Sequence, residues 1–73
     1  MTFGKWLKIK LRQNKVQQKE LAKKINVAEN TVTSWVTDLR EPNVPNFIWL
    51  IAFIAETEDV PEYEIYNEAS TYF

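Results

Sequence analysis

Two acidic runs are the nearest approach to a catalytic pair: Glu56, Glu58 and Asp59, then Glu62 and Glu64. Paired carboxylates can divide general-acid and general-base work when their surroundings drive their pKa values apart. Both runs sit on a short acidic stretch with no pocket-forming sequence around them. No histidine or cysteine is present, which removes the commonest general base, the commonest zinc ligand and all thiolate chemistry. Gly4 is the single glycine, too few for a loop that cradles phosphate. These residues predict no enzyme, no cofactor and no metal. Charge remains. Residues 1–24 carry eight Lys and Arg against Glu20 and stand at +7, whereas residues 25–73 carry Arg40 against nine acids and stand at −8. A basic segment beside an acidic one suits an anionic partner. It equally describes a solvated helix face followed by an acidic tail. The pI near 5.3 argues against indiscriminate nucleic-acid binding.

The elements that must position these groups are helices. Seventy-three residues, 45% hydrophobic and 26% charged, predict one small globular domain over residues 1–73. Phe3, Leu7 and Leu11 recur every four residues with Trp6 beside them, an amphipathic face that Thr2 can cap. Lys5, Lys8 and Lys10 are expected in solvent around it. Asn14-Lys15 reads as a break. A second helix is expected over about 17–25, with Leu21, Ala22 and Ile25 inward and Lys19, Lys23 and Lys24 wet. Asn26 suits a left-handed turn. A third spans about 29–37, with Val32, Trp35 and Val36 inward. Its β-branched residues are poor helix formers, so packing must supply the helicity. After a loop at 38–44, Pro45 fits the first turn of a helix at about 45–55. Glu56–Asp59 reads as an acidic break, Pro61 as the first turn of a short helix to about 67, and 70–73 as a tail. The longest apolar run, 47–55, is about half of the ~20 residues a membrane span needs. Lysines interrupt any signal-peptide pattern. A cytoplasmic protein with no membrane association is expected.

Two short helices joined around Asn26 form a helix-turn-helix. Gln18-Lys19-Glu20-Leu21-Ala22-Lys23-Lys24-Ile25-Asn26-Val27, followed by Thr31-Val32-Thr33-Ser34-Trp35, resembles the phage Cro/repressor-type helix-turn-helix family, also called the xenobiotic-response-element type. The resemblance covers about residues 3–66 and implies an all-α, five-helix Cro/repressor-like domain. The chain departs from the family pattern at several points. Asn26 replaces the turn glycine, and Ala28 replaces a Ser or Thr cap at a cost of about 1 kcal/mol. Val36, Thr37 and Asp38 stand where helix 3 usually ends Glu, a polar residue, Gly. The family's partly buried Arg–Glu pair maps onto Leu11 and Val36. Exchanging both partners of such a pair for packed hydrophobes is often neutral or stabilising.

What the resemblance implies is sequence-specific binding of double-stranded DNA by a transcriptional regulator with the helix-turn-helix at about 17–37. Glu29, Asn30, Thr33 and Ser34 would face the major groove. Asn reads adenine, Thr methyls touch thymine and Glu accepts from cytosine. Helix 3 has no Arg or Lys, so the commonest guanine contact is missing. Gln17, Gln18, Lys19, Thr37, Arg40 and Asn43 would lie along the phosphate backbone. A repressor is expected, because a bare DNA-binding domain can occlude polymerase. The helix at 45–55 has no polar face beyond the Trp49 indole N–H, so an association surface is expected in the C-terminal half (45–73). Trp49, Phe53, Tyr63, Tyr66 and Phe73 are its candidates, and a homodimer on a two-fold operator is the expected assembly. The alternative is a protein-interaction module on the same fold. The acidic balance, Glu29 and Asp38 beside helix 3 and the exposed-looking aromatics favour it.

Overall fold

Two of the helices start where a side chain takes up a free backbone N–H group. The Thr2 hydroxyl accepts from the Lys5 N–H at 3.2 Å, and the Asn43 side chain accepts from the Asn46 N–H at 2.9 Å. The computed structural model describes residues 1–72. Among them are five helices and no strand: α1 (Phe3–Gln13), α2 (Gln18–Lys24), α3 (Glu29–Val36), α4 (Val44–Glu58) and α5 (Glu62–Ser70). The expected elements are all present. Ala28 precedes α3 without a side-chain cap.

The helix ends follow one rule. Lys15, Asn26, Asp38 and Asp59 close α1 to α4, each with φ between 56° and 61°. The aliphatic residue after each sends its N–H back to a carbonyl five residues earlier: Val16 to Leu11 (2.8 Å), Val27 to Ala22 (2.9 Å), Leu39 to Ser34 (2.9 Å) and Val60 to Ala55 (3.0 Å). These are left-handed helix stops of the Schellman type, with a polar residue in the usual glycine position. They correct the expected break at 56–59. Glu56, Thr57 and Glu58 are the last turn of α4, because the stop falls at Asp59. Pro61 is the N-cap of α5 and lies outside its first turn, and α5 runs on to Ser70.

The core is continuous. Leu7, Leu21, Val32, Leu50, Ile54 and Ile65 are fully buried and draw on all five helices. α3 packs on α1 and α2, and α4 packs on α5 and α2. Val32, Trp35 and Val36 are buried, which supplies the packing that the β-branched α3 requires. Leu11 and Val36 are both buried, as an apolar replacement of an ion pair demands.

Gly4 is where α1 meets the end of α3. A Cβ there would stand 2.5 Å from the Trp35 carbonyl oxygen and 2.7 Å from that of Val36. Asp38 closes the same junction. Its carboxylate accepts the Gly4 N–H at 2.9 Å and the Thr2 hydroxyl. Those two hydrogen bonds, Thr2 foremost, hold the Asp38 carboxyl below the usual range. Asp38, expected as an acidic flank for a partner, is thus engaged within the fold.

Lys10 also departs from expectation. It is buried, with Nζ 2.9 Å from Glu58 and 3.1 Å from Glu68. The Trp6 indole N–H donates to Glu68 at 3.3 Å, and the Asn14 amide donates to Glu58 at 2.8 Å. Burial alone would lower the Lys10 pKa. Hydrogen bonds to both glutamates and their negative charge outweigh it, and the ammonium is held above its ordinary value. For Glu58, burial pulls upward, but donation from Asn14 and Lys10 holds the carboxyl below its ordinary value. The basic and acidic halves of the sequence therefore meet at this partly buried cluster.

Candidate nucleic-acid interface

The outer faces of α2 and α3 are joined by one side-chain hydrogen bond. The Thr33 hydroxyl donates to Gln18 Oε1 at 3.0 Å. Gln18 is the first residue of α2 and half-buried, and Thr33 lies mid-α3 and is exposed. Glu29 and Asn30 occupy the first turn of α3, both exposed. Ser34 is half-buried, and its hydroxyl donates to the Thr31 carbonyl at 2.6 Å. The Thr37 hydroxyl donates to the Thr33 carbonyl at 2.8 Å. The Ser34 carbonyl accepts the N–H groups of Leu39 and Arg40, which turns the chain back and leaves Arg40 exposed. The Asn43 side-chain oxygen is engaged as the α4 cap, so its amide N–H groups remain for other acceptors. Gln17 and Lys19 are exposed, and the Gln17 N–H donates to Glu20 at 3.3 Å.

Two depressions flank α3. One, of about 470 Å³, gathers Lys8, Arg12, Gln17, Gln18 and Glu29. The other, of about 340 Å³, gathers Asn30, Ser34, Arg40, Asn43 and Asn46 with Glu41. The structure thus places Gln17 and Gln18 on one side of the α3 face and Arg40 and Asn43 on the other. Thr37 and Lys19 line neither depression. Lys8, Arg12 and Asn46 were not among the sequence candidates. The spacing of Lys8 and Arg12, one helical turn apart beside the apolar stripe, is the signal that could have found them. Asn46 had no such signal, since its position follows from how α4 packs.

The helix-turn-helix family model matches residues 7–54, nearly two-thirds of the 73 residues. The chain belongs to the Cro/repressor-type helix-turn-helix family. No curated protein and no solved structure matches it. The family is one of DNA-binding regulators, and the matched span runs from Leu7 in α1 into α4. Among the described residues, no helix is long and apolar enough to cross a membrane.

In this helix-turn-helix chain the aromatic candidates of the C-terminal half separate. Tyr63 and Tyr66 are exposed, as is Ile48. An apolar groove of about 270 Å³ runs between α4 and α5 along Phe47, Ile48, Ile51, Tyr63 and Tyr66, with Glu62 beside it. A second, also about 270 Å³, carries it past Pro42, Val44 and Glu41. The Phe47 and Tyr66 rings, shared by both, meet edge-on at 6.0 Å. Phe53 is partly buried and packs on the core, so it offers little to an association surface. Trp49 is exposed but faces Lys24, Ile25, Asn26 and Asn46. Phe73 lies outside the described residues.

Proposed function

We propose that this chain is a sequence-specific DNA-binding transcriptional regulator, a small repressor acting in the cytoplasm as a homodimer on a two-fold operator. The observation that carries the reading is the Thr33–Gln18 hydrogen bond at 3.0 Å. It locks the start of α2 to the outer face of α3 and leaves Glu29 and Asn30 exposed beside it. Asn30 pairs with adenine, the Thr33 methyl and Ser34 contact neighbouring bases, and Glu29 accepts from cytosine. Gln17, Gln18, Lys19, Thr37, Arg40 and Asn43 lie along the phosphates.

The size of the molecule supports a dimer. Its Cα extents are 28 × 23 × 22 Å, whereas half-sites on a two-fold operator lie about 34 Å apart. One copy reaches one half-site. The α4–α5 groove, with Val44, Ile48, Tyr63 and Tyr66 exposed, is the pairing face. It shares Glu41 with the depression beside α3, so pairing sets the spacing of the two reading helices. Selection of duplexes from a randomised pool tests the reading. A two-fold consensus bound with steep salt dependence is expected. Glu29 and Glu41, beside a reading helix with no Lys or Arg, favour the alternative of a protein partner. Failure to enrich any duplex, with a protein captured instead, would establish that alternative.

A further inference from the structure

Trp49 is 60% exposed, whereas Trp6 and Trp35 are 5% and 2% exposed. It lines a concavity of about 350 Å³ with Lys24, Ile25, Asn26 and Asn46, apart from the groove that holds Tyr63 and Tyr66. The depressions on either side of α3 and along α4–α5 each include Glu29, Glu41 or Glu62. The Trp49 concavity includes no carboxylate. Its polar groups are mostly donors: the Lys24 ammonium, the Trp49 indole N–H and the side-chain amides of Asn26 and Asn46. Among the described residues none of these side chains has a hydrogen-bond partner. Such a surface fits an anion. Asn46 also lines the depression that holds Asn30, Ser34 and Arg40, so the concavity continues the α3 face.

We propose that Lys24, Asn46 and Trp49 hold a backbone phosphate of DNA flanking the segment read by α3. This rests on the DNA-binding reading above and makes Trp49 a DNA contact instead of a pairing contact. Lys24 supplies charge, and the amide and indole N–H groups supply direction. Ile25 gives the indole an apolar neighbour. A phosphate contact carries no base information, so this corner adds affinity to every sequence alike.

The test uses the full chain with two 30-base-pair duplexes, one selected by the wild type from a randomised pool and one of mixed sequence. Lys24→Ala is expected to weaken both to a similar degree and to make the slope of log K against log salt shallower by about one. Trp49→Phe keeps an aromatic ring, smaller than the indole, and loses the donor, and about a 5- to 10-fold loss on both duplexes is expected. Acrylamide quenching of wild-type emission, which reports on exposed Trp49, should fall when DNA is bound. Wild-type affinity and salt slope in both variants overturn the proposal. So does a Trp49→Phe protein that sediments as a monomer while each subunit binds as before, since Trp49 is then a pairing contact. A wild type that selects no duplex overturns the DNA-binding reading together with this assignment.

Discussion

Thr33 and Ser34 both commit their hydroxyl protons inside the protein, Thr33 to Gln18 and Ser34 to Thr31. Each can then only accept from a base edge or offer a methyl or methylene surface. Asn30 keeps both its donors and its acceptor, and it is the residue on this face suited to bidentate contact with adenine. Asn30→Ala is expected to cost about 1–3 kcal/mol on the selected duplex and to relax one A·T position, with Ser34→Ala costing less. Competition binding against single-base variants of that duplex measures both. Unchanged affinity and specificity in Asn30→Ala, Thr33→Ala and Ser34→Ala alike would retire α3 as the reading helix. Gly4 makes a prediction about stability. A methyl group there meets two backbone carbonyls that cannot swing aside, so Gly4→Ala should destabilise by about 2–3 kcal/mol in urea unfolding. That Asn30, Thr33 and Ser34 share one face of α3 was legible in the sequence, because it needs only i, i+3, i+4 spacing, whereas a reading role for that face came from the family resemblance. The roles of Gly4 and Asp38 were not legible, because their partners lie more than thirty residues away and only packing brings them together.

At the scale of elements, four helices stop on left-handed residues that are not glycine. The conformation costs an L-residue about 1 kcal/mol or more, and glycine avoids it. Lys15 is exposed, and its side chain pairs with no other group among the described residues. Lys15→Gly is expected to stabilise by about 0.5–1 kcal/mol in thermal or urea unfolding, and a loss of stability would contradict a strained stop at Lys15. The Asn26 stop was anticipated because asparagine tolerates this geometry. The helix ends at Lys15 and Asp38 were expected as a break and a loop, but not their left-handed geometry, which lysine and aspartate announce weakly, and the end of α4 was misplaced for that reason. The Lys10–Glu58–Glu68 cluster joins α1, α4 and α5 and makes their docking pH-dependent. The folded Glu58 pKa is depressed, so its contribution is present above the ordinary glutamate value of about 4.3 and is lost as pH falls through the lower folded value. The folded Lys10 pKa is raised, so its contribution is full below about 10.4 and is lost as pH rises through the higher folded value. Urea midpoints should therefore fall at both extremes. In Lys10→Met with Glu58→Gln the fall attributable to this pair should disappear.

For the whole molecule, the +7 and −8 halves are joined at Lys10, which Glu58 and Glu68 neutralise. Of the nine Lys and Arg, Lys8, Arg12, Lys24 and Arg40 line the depressions around α3 and its neighbouring corner. Fewer than eight phosphate contacts per subunit are expected, a salt slope shallower than about −7. Titration of the mixed-sequence duplex between low and moderate salt measures it, and a steeper slope would contradict the charge placement. Pairing through the α4–α5 groove predicts that wild type sediments as a dimer at micromolar concentration and that Tyr66→Lys dissociates it with helical circular dichroism retained. A wild type that is monomeric at tens of micromolar and still binds its operator would remove the dimer. Phe53→Lys is no substitute for that test, because Phe53 packs on the core and its loss would disturb the fold.

The Lys10 cluster also bears on how the molecule is made. Lys10 is synthesised 48 residues before Glu58 and 58 before Glu68. At about 5–20 residues per second, the ammonium waits roughly 2–12 s for its carboxylates. Leu50, Ile54 and Ile65, which complete the core, are themselves made only during that wait. The helix-turn-helix is thus complete in sequence before the α4 and α5 residues that finish the core it packs on.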